Sequence, residues 1–177
     1  MAEDLLAQLA GTDRRSVGRS NEVADQVLAS PKLFKQLIDG MIDDDPVIRM
    51  RCADAAEKVT AERPELLSRY RDRLLGELAR IPQQEVKWHV AQMIPRLRLD
   101  AARRCRAVEV LRGYLQDDSR IVQVSALQAL TDLAREHGDE LTPEITTLLH
   151  DSARNGVPSV RARARKLLKK LDPSDLG

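Results

Sequence analysis

The sequence predicts an all-α fold, one domain over residues 1–177 made of five consecutive helix pairs. Three observations carry this. Aromatic residues make up only 2% of the chain, against 42% hydrophobic and 32% charged. A core of Leu, Ala, Val and Ile beside abundant Arg and Glu favours helices over strands. One apolar stripe recurs along the chain, and prolines and glycines punctuate it at helical intervals.

The stripe is an apolar anchor, often followed by a base, with apolar residues four, seven, eight and eleven positions on. Those offsets lie on one face of a helix. The second copy is Ile48-Arg49 with Cys52, Ala55, Ala56 and Val59. The third is Val86-Lys87 with Val90, Met93, Ile94 and Leu97. Val122-Gln123 with Ala126, Ala129, Leu130 and Leu133 is the fourth, and Val160-Arg161 with Ala164, Leu167, Leu168 and Leu171 the fifth. A degenerate first copy is read at Val17-Gly18 with Asn21, Ala24, Asp25 and Leu28.

Between these lie partner segments of helical pattern at 31–42, 64–80, 100–116 and 141–154, with a short one at Asp4 to Ala10. The repeats therefore run over about 3–29, 31–60, 64–97, 100–134 and 141–171. Ser30-Pro31, Asp45-Pro46 and Thr142-Pro143 each place a capping side chain before a proline at the first helical position. Gly11, Gly40 and Gly138 fall where helices should end. Pro95 sits inside the third anchor helix, so a kink or early end is expected there. One pair cannot bury its own apolar face, so neighbouring pairs are expected to stack.

Several function classes lack their signatures. The formal charge is +1, which makes no global case for nucleic acid or an acidic membrane. No run approaches the length needed to span a bilayer, and Met1-Ala2-Glu3-Asp4 does not open a signal peptide. Cys52 and Cys105 lie far apart and are expected to be small buried hydrophobes in a reducing cytoplasm. His89, His137 and His150 have no metal-ligand spacing, and no phosphate loop or hydrolase elbow occurs. No cofactor and no metal is expected.

Asp43-Asp44-Asp45-Pro46-Val47-Ile48-Arg49 followed by Cys52, Ala55 and Ala56 resembles the turn and second helix of a HEAT repeat. Asp117-Asp118-Ser119-Arg120-Ile121-Val122-Gln123 and Gly156-Val157-Pro158-Ser159-Val160-Arg161 resemble two more. This resemblance implies a right-handed α-α superhelix, an α-solenoid, with the second helix of each pair lining a concave surface. It also implies a ladder from Asp43 and Asp117 to Arg49, Lys87 and Arg161, with Gln123, Gly18, Ile81 and Thr12 departing from it. The family's functions are mostly scaffolding and recognition.

Positions two, six and nine after each anchor point away from the core. They place Met50, Trp88 and Val124 as an apolar strip in the implied groove, flanked by Arg51, His89, Gln92 and Gln128. A tryptophan exposed in a groove suits a partner anchor; the alternative is that Trp88 packs on a neighbouring helix. The expected function is non-catalytic binding of another protein there. The alternative is nucleic-acid binding through the basic last helix, with Arg161, Arg163, Arg165, Lys166, Lys169 and Lys170. Arg96, Arg98, Arg103, Arg104, Arg106 and Arg112 add weight to that alternative. Some HEAT-like solenoids are DNA glycosylases with an Asp one turn after a groove Trp. Here Gln92 stands at that spacing from Trp88, so such activity is not expected. Partner identity and oligomeric state are not encoded in any motif.

Overall fold

The fold is described from a computed structural model covering residues 4–13 and 16–171, apart from the side chain of Asp139. The residues Met1 to Glu3, which bear on the leader reading and the start of the first repeat, lie outside it. Among the described residues there are ten α-helices and no strand. They are α1 Leu5–Leu9, α2 Ser20–Ala29, α3 Phe34–Gly40, α4 Pro46–Glu62 and α5 Arg71–Leu75. There follow α6 Gln84–Met93, α7 Ala101–Tyr114, α8 Arg120–His137, α9 Thr142–Asn155 and α10 Pro158–Leu171.

Most boundaries follow the local chemistry. Asp45 caps α4, its Oδ1 accepting from the Val47 amide at 2.8 Å ahead of Pro46. Gly138 ends α8 at φ 56°, a conformation that only glycine adopts freely. Past Met93 the third anchor helix tightens into a 3₁₀ turn, Ile94–Arg96, because Pro95 has no amide to continue the α ladder.

Other boundaries differ from expectation. Ser30 makes no side-chain cap, and Thr142 is already helical, its hydroxyl donating to the Gly138 carbonyl at 2.7 Å. Segment 64–80 is not one helix. It forms a 3₁₀ stretch Pro64–Arg69, then α5, then a 3₁₀ turn Leu78–Arg80, with Gly76 ending α5. Cys105 is exposed on α7 rather than buried, whereas Cys52 is fully buried and burial pushes its thiol up.

The chain forms two compact units, Met1–Arg103 and Arg104–Gly177, with the division falling inside α7. In the first, α4 is the central helix, packed on α1, α2, α3 and α6. It is buried nearly all round from Met50 to Ala56. In the second, α10 packs on both α8 and α9 through Val160, Ala164 and Leu167. The stripes of α4, α6 and α8 lie in the core almost to the last residue; Ile48 alone among them is half-buried.

The first copy was displaced by one residue in the sequence reading. Val17 precedes α2 and is 44% exposed, and Asn21 and Asp25 face solvent. The buried stripe of α2 is Ser20, Val23, Ala24 and Val27. Ser20 thus occupies the small buried position that Cys52 fills in α4. A hydroxyl there gives no apolar signal, so the neighbouring Val17 drew the alignment.

Candidate functional site

In the first unit α2 packs on α4 and α4 packs on α6. Their polar side chains join into a network. Ser20 donates its hydroxyl to Asp54 Oδ2, and Lys58 reaches the same oxygen at 2.5 Å and Asn21 Oδ1 at 2.5 Å. Asp54 is 8% exposed, so these bonds are what make its burial tolerable. His89 Nδ1 of α6 is hydrogen-bonded to Gln92 Oε1 at 3.0 Å, and its Nε2 lies 3.8 Å from Asp54 Oδ1. Burial lowers its pKa below the ordinary 6.5, outweighing the opposite pull of Asp54 and Glu57. The ring is therefore neutral near pH 7 and makes no ion pair with Asp54. One turn on, Arg96 pairs with Glu57 and donates to the Thr60 hydroxyl at 3.0 Å.

Arg51 is not a groove residue. It is 5% exposed, and its guanidinium donates to the carbonyls of Leu9, Ala10, Asp13 and Ser16 at 2.9 to 3.2 Å. It holds the strand of chain between α1 and α2 against α4. A Cβ on Gly18 would lie 2.6 Å from Arg51 Cζ, and Gly18 has φ +54°, so both space and backbone demand glycine.

Two of the turns are closed by bonds within the turn itself. Asp43 and Asp117 spend a carboxylate oxygen on the backbone amide two residues on, at 2.8 and 2.9 Å, as Asx turns. Arg49 donates instead to the Asp43 carbonyl at 2.7 Å, and Gln123 donates to the Asp117 carbonyl at 2.5 Å. Gln123, though not a base, thus bonds its turn carbonyl as Arg49 does. Arg49 also donates to Gln83 Oε1 at 2.8 Å, and Gln83 returns an amide hydrogen to the Pro46 carbonyl at 2.9 Å. That pair ties the start of α4 to the start of α6.

Beside that tie opens a shallow cleft of about 490 Å³, lined by Pro46, Arg49, Met50, Pro82, Gln83 and Glu85. Met50, at 9% exposure, is buried rather than a prominent strip residue. Trp88 is half-buried, one helical turn beyond Glu85, with its ring tilted against His89 at 5.5 Å between centroids. Gln92 is exposed.

The predicted groove set is divided between the two units. Met50, Arg51, Trp88, His89 and Gln92 belong to the first, Val124 and Gln128 to the second. Val124 is half-buried. Gln128 donates to Asp132 Oδ1 at 2.7 Å and accepts from Arg163 Nη2 at 2.5 Å, so both it and Arg163 are occupied within their own unit.

The arginines near the third turn are largely paired as well. Arg103 pairs with Asp72 at 2.8 Å and with Asp100, Arg104 with Glu140 at 2.8 Å, and Arg112 with Glu144. On α10 the picture differs. Arg165, Lys166, Lys169 and Lys170 are exposed, and among the described residues none of them pairs with a carboxylate.

Ser20 and Lys58 are network members that pattern reading missed. The available signal was a Lys four residues after an Asp on a helix face. No helix among the described residues is long and apolar enough to cross a membrane, and none of their His, Cys, Asp and Glu side chains gather in threes as metal ligands would. No protein-family model matches the chain, and no curated protein matches it significantly.

Proposed function

We propose that this chain is a HEAT-type α-solenoid acting as a non-catalytic recognition module, which holds a protein partner at the cleft between the starts of α4 and α6. The observation that carries the reading is Trp88. It is the only tryptophan, it is partly exposed, and it stands one turn from a cleft whose wall includes Met50. Large aromatic side chains in such positions supply much of the energy of protein interfaces, and methionine adapts to varied partners. The buried network behind them favours the same reading. Ser20, Asp54 and Lys58 are bonded to one another and His89 to Gln92, which makes a rigid backing for a docking face. Gln92, an amide, cannot serve as the carboxylate of a base-excision enzyme. An exposed, unpaired Cys105 suits a reducing cytoplasm.

The test is retention of partners by the full chain with and without Trp88→Ala, both forms being checked for equal thermal stability. A partner held by the parent should be lost or bound at least tenfold more weakly by the variant. Equal retention removes this cleft as the docking face. Because Trp88 is the sole indole, its emission should also shift when that partner is added.

A further inference from the structure

We infer that the exposed arc of α10 is a binding surface for the phosphate backbone of double-stranded DNA, separate from the α4–α6 cleft and reading no sequence. The helix is seated on α8 and α9 by Val160, Ala164 and Leu167, which are buried. At 100° per residue the remaining arc from Arg161 to Lys170 carries Arg161, Arg165, Lys166, Lys169 and Lys170, with Ala162 the one uncharged residue on it. Arg161, Arg165 and Lys169 stand four residues apart on one line, and Lys166 and Lys170 on another. Like charges at that spacing repel. Several cations elsewhere are answered by carboxylates, Lys35 by Asp39, Arg73 by Asp39 and Glu77, Arg96 by Glu57 and Arg104 by Glu140, and Arg49 and Arg51 by backbone carbonyls. Among the described residues the arc of α10 has no such acid. Lys169 and Lys170 lie in the last turn, where cations also complement the helix dipole, but Arg161 and Arg165 do not.

The chemistry of the arc selects its occupant. An anionic membrane surface would take a basic helix by its apolar face, and that face is already buried in the unit. A protein interface needs an apolar or aromatic anchor at its centre, and the arc offers only Ala162. Single strands are held by stacking bases on aromatic rings; α10 has none. What remains is a regular, rigid row of negative charge met by point cations, which is how sequence-independent backbone binding works.

The experiment measures binding of the full chain to two short DNA duplexes of unrelated sequence by fluorescence anisotropy across a salt series. The expected result is equal affinity for both duplexes and a logarithmic salt slope that falls by about 3.6 in the variant Arg165→Ala/Lys166→Ala/Lys169→Ala/Lys170→Ala, about 0.9 for each cation removed. A second variant, Lys166→Arg/Lys169→Arg/Lys170→Arg, keeps the charge and should bind as the parent does. No binding at low salt, an unchanged slope in the alanine variant, or tighter binding to single strands or to vesicles rich in phosphatidylserine would each overturn the proposal.

Discussion

Helices α4 and α10 treat charge in opposite ways. On α4, Arg49, Arg51, Asp54, Glu57 and Lys58 are all bound to other groups of the first unit, from loop carbonyls to Ser20 and Arg96. On α10, among the described residues, only Arg163 has such a bond, to Gln128, and the outer cations are exposed. The difference follows from packing. A helix covered on several sides can keep a charge only if that charge is hydrogen-bonded, whereas a helix covered on one side leaves its charge to water or to a ligand. Charge in α4 holds the fold; among the described residues, the outer charge of α10 does not.

Substitutions can break or sharpen that contrast. The largest effect is expected for Arg51→Met, which keeps the stem and removes every donor to the Leu9–Ser16 carbonyls. Urea denaturation should show a loss of about 3 kcal/mol, because several charge-assisted bonds go at once. A loss below about 1 kcal/mol would mean the α1–α2 connection stands without its staple. Asp54→Ala comes next, at about 2 kcal/mol, since it strands the buried Ser20 hydroxyl and the Lys58 ammonium. A double-mutant cycle with Ser20→Ala should return a coupling of about 1 kcal/mol; additivity would dissolve the pair.

Gln123→Ala should cost about 1 kcal/mol and Gln123→Arg close to none, if the carbonyl of Asp117 is what matters at that position. Equal losses in the two variants would show that the turn does not depend on this donor. His89 predicts a smaller, pH-dependent effect. The unfolded ring takes up its proton near pH 6.5, while burial keeps the folded ring neutral to lower pH. The unfolded state thus binds more protons in that window, so the histidine's contribution to stability is complete above about pH 6.5 and is lost as pH falls through the folded value. In His89→Gln the stability–pH slope between about pH 7 and about pH 5 should be shallower than in the parent. The smallest effect belongs to α10: Arg165→Ala and Lys169→Ala should each change stability by less than about 0.5 kcal/mol. A larger loss from either would place these cations with those of α4, as parts of the fold.

Much of the helical organisation was legible beforehand, and the exceptions have physical causes. The stripes at Val86, Val122 and Val160 announced α6, α8 and α10 because aliphatic side chains at helical spacing have one common destination. The first copy was misread because Ser20 buries a hydroxyl where its counterparts bury carbon or sulfur. Segment 64–80 carried the pattern of a helix, but Gly76 divides it and its ends tighten into 3₁₀ turns. The candidate groove was less legible. Periodicity placed Arg51 and His89 facing outward from their own helix axes, and could not tell that α1, α2 and α6 lie on that side of α4.

The sequence by itself determined the helical class, most helix boundaries and the uninterrupted positive charge of α10, because these depend on neighbours within one or two turns. Only the tertiary structure decided that Arg51 staples a loop, that Asp54 ties α2 to α4 and that Gln128 is spent on Arg163. Those outcomes hang on which side chain lies about 3 Å from which across more than thirty residues of chain, a distance over which hydropathy patterns carry no information about partners.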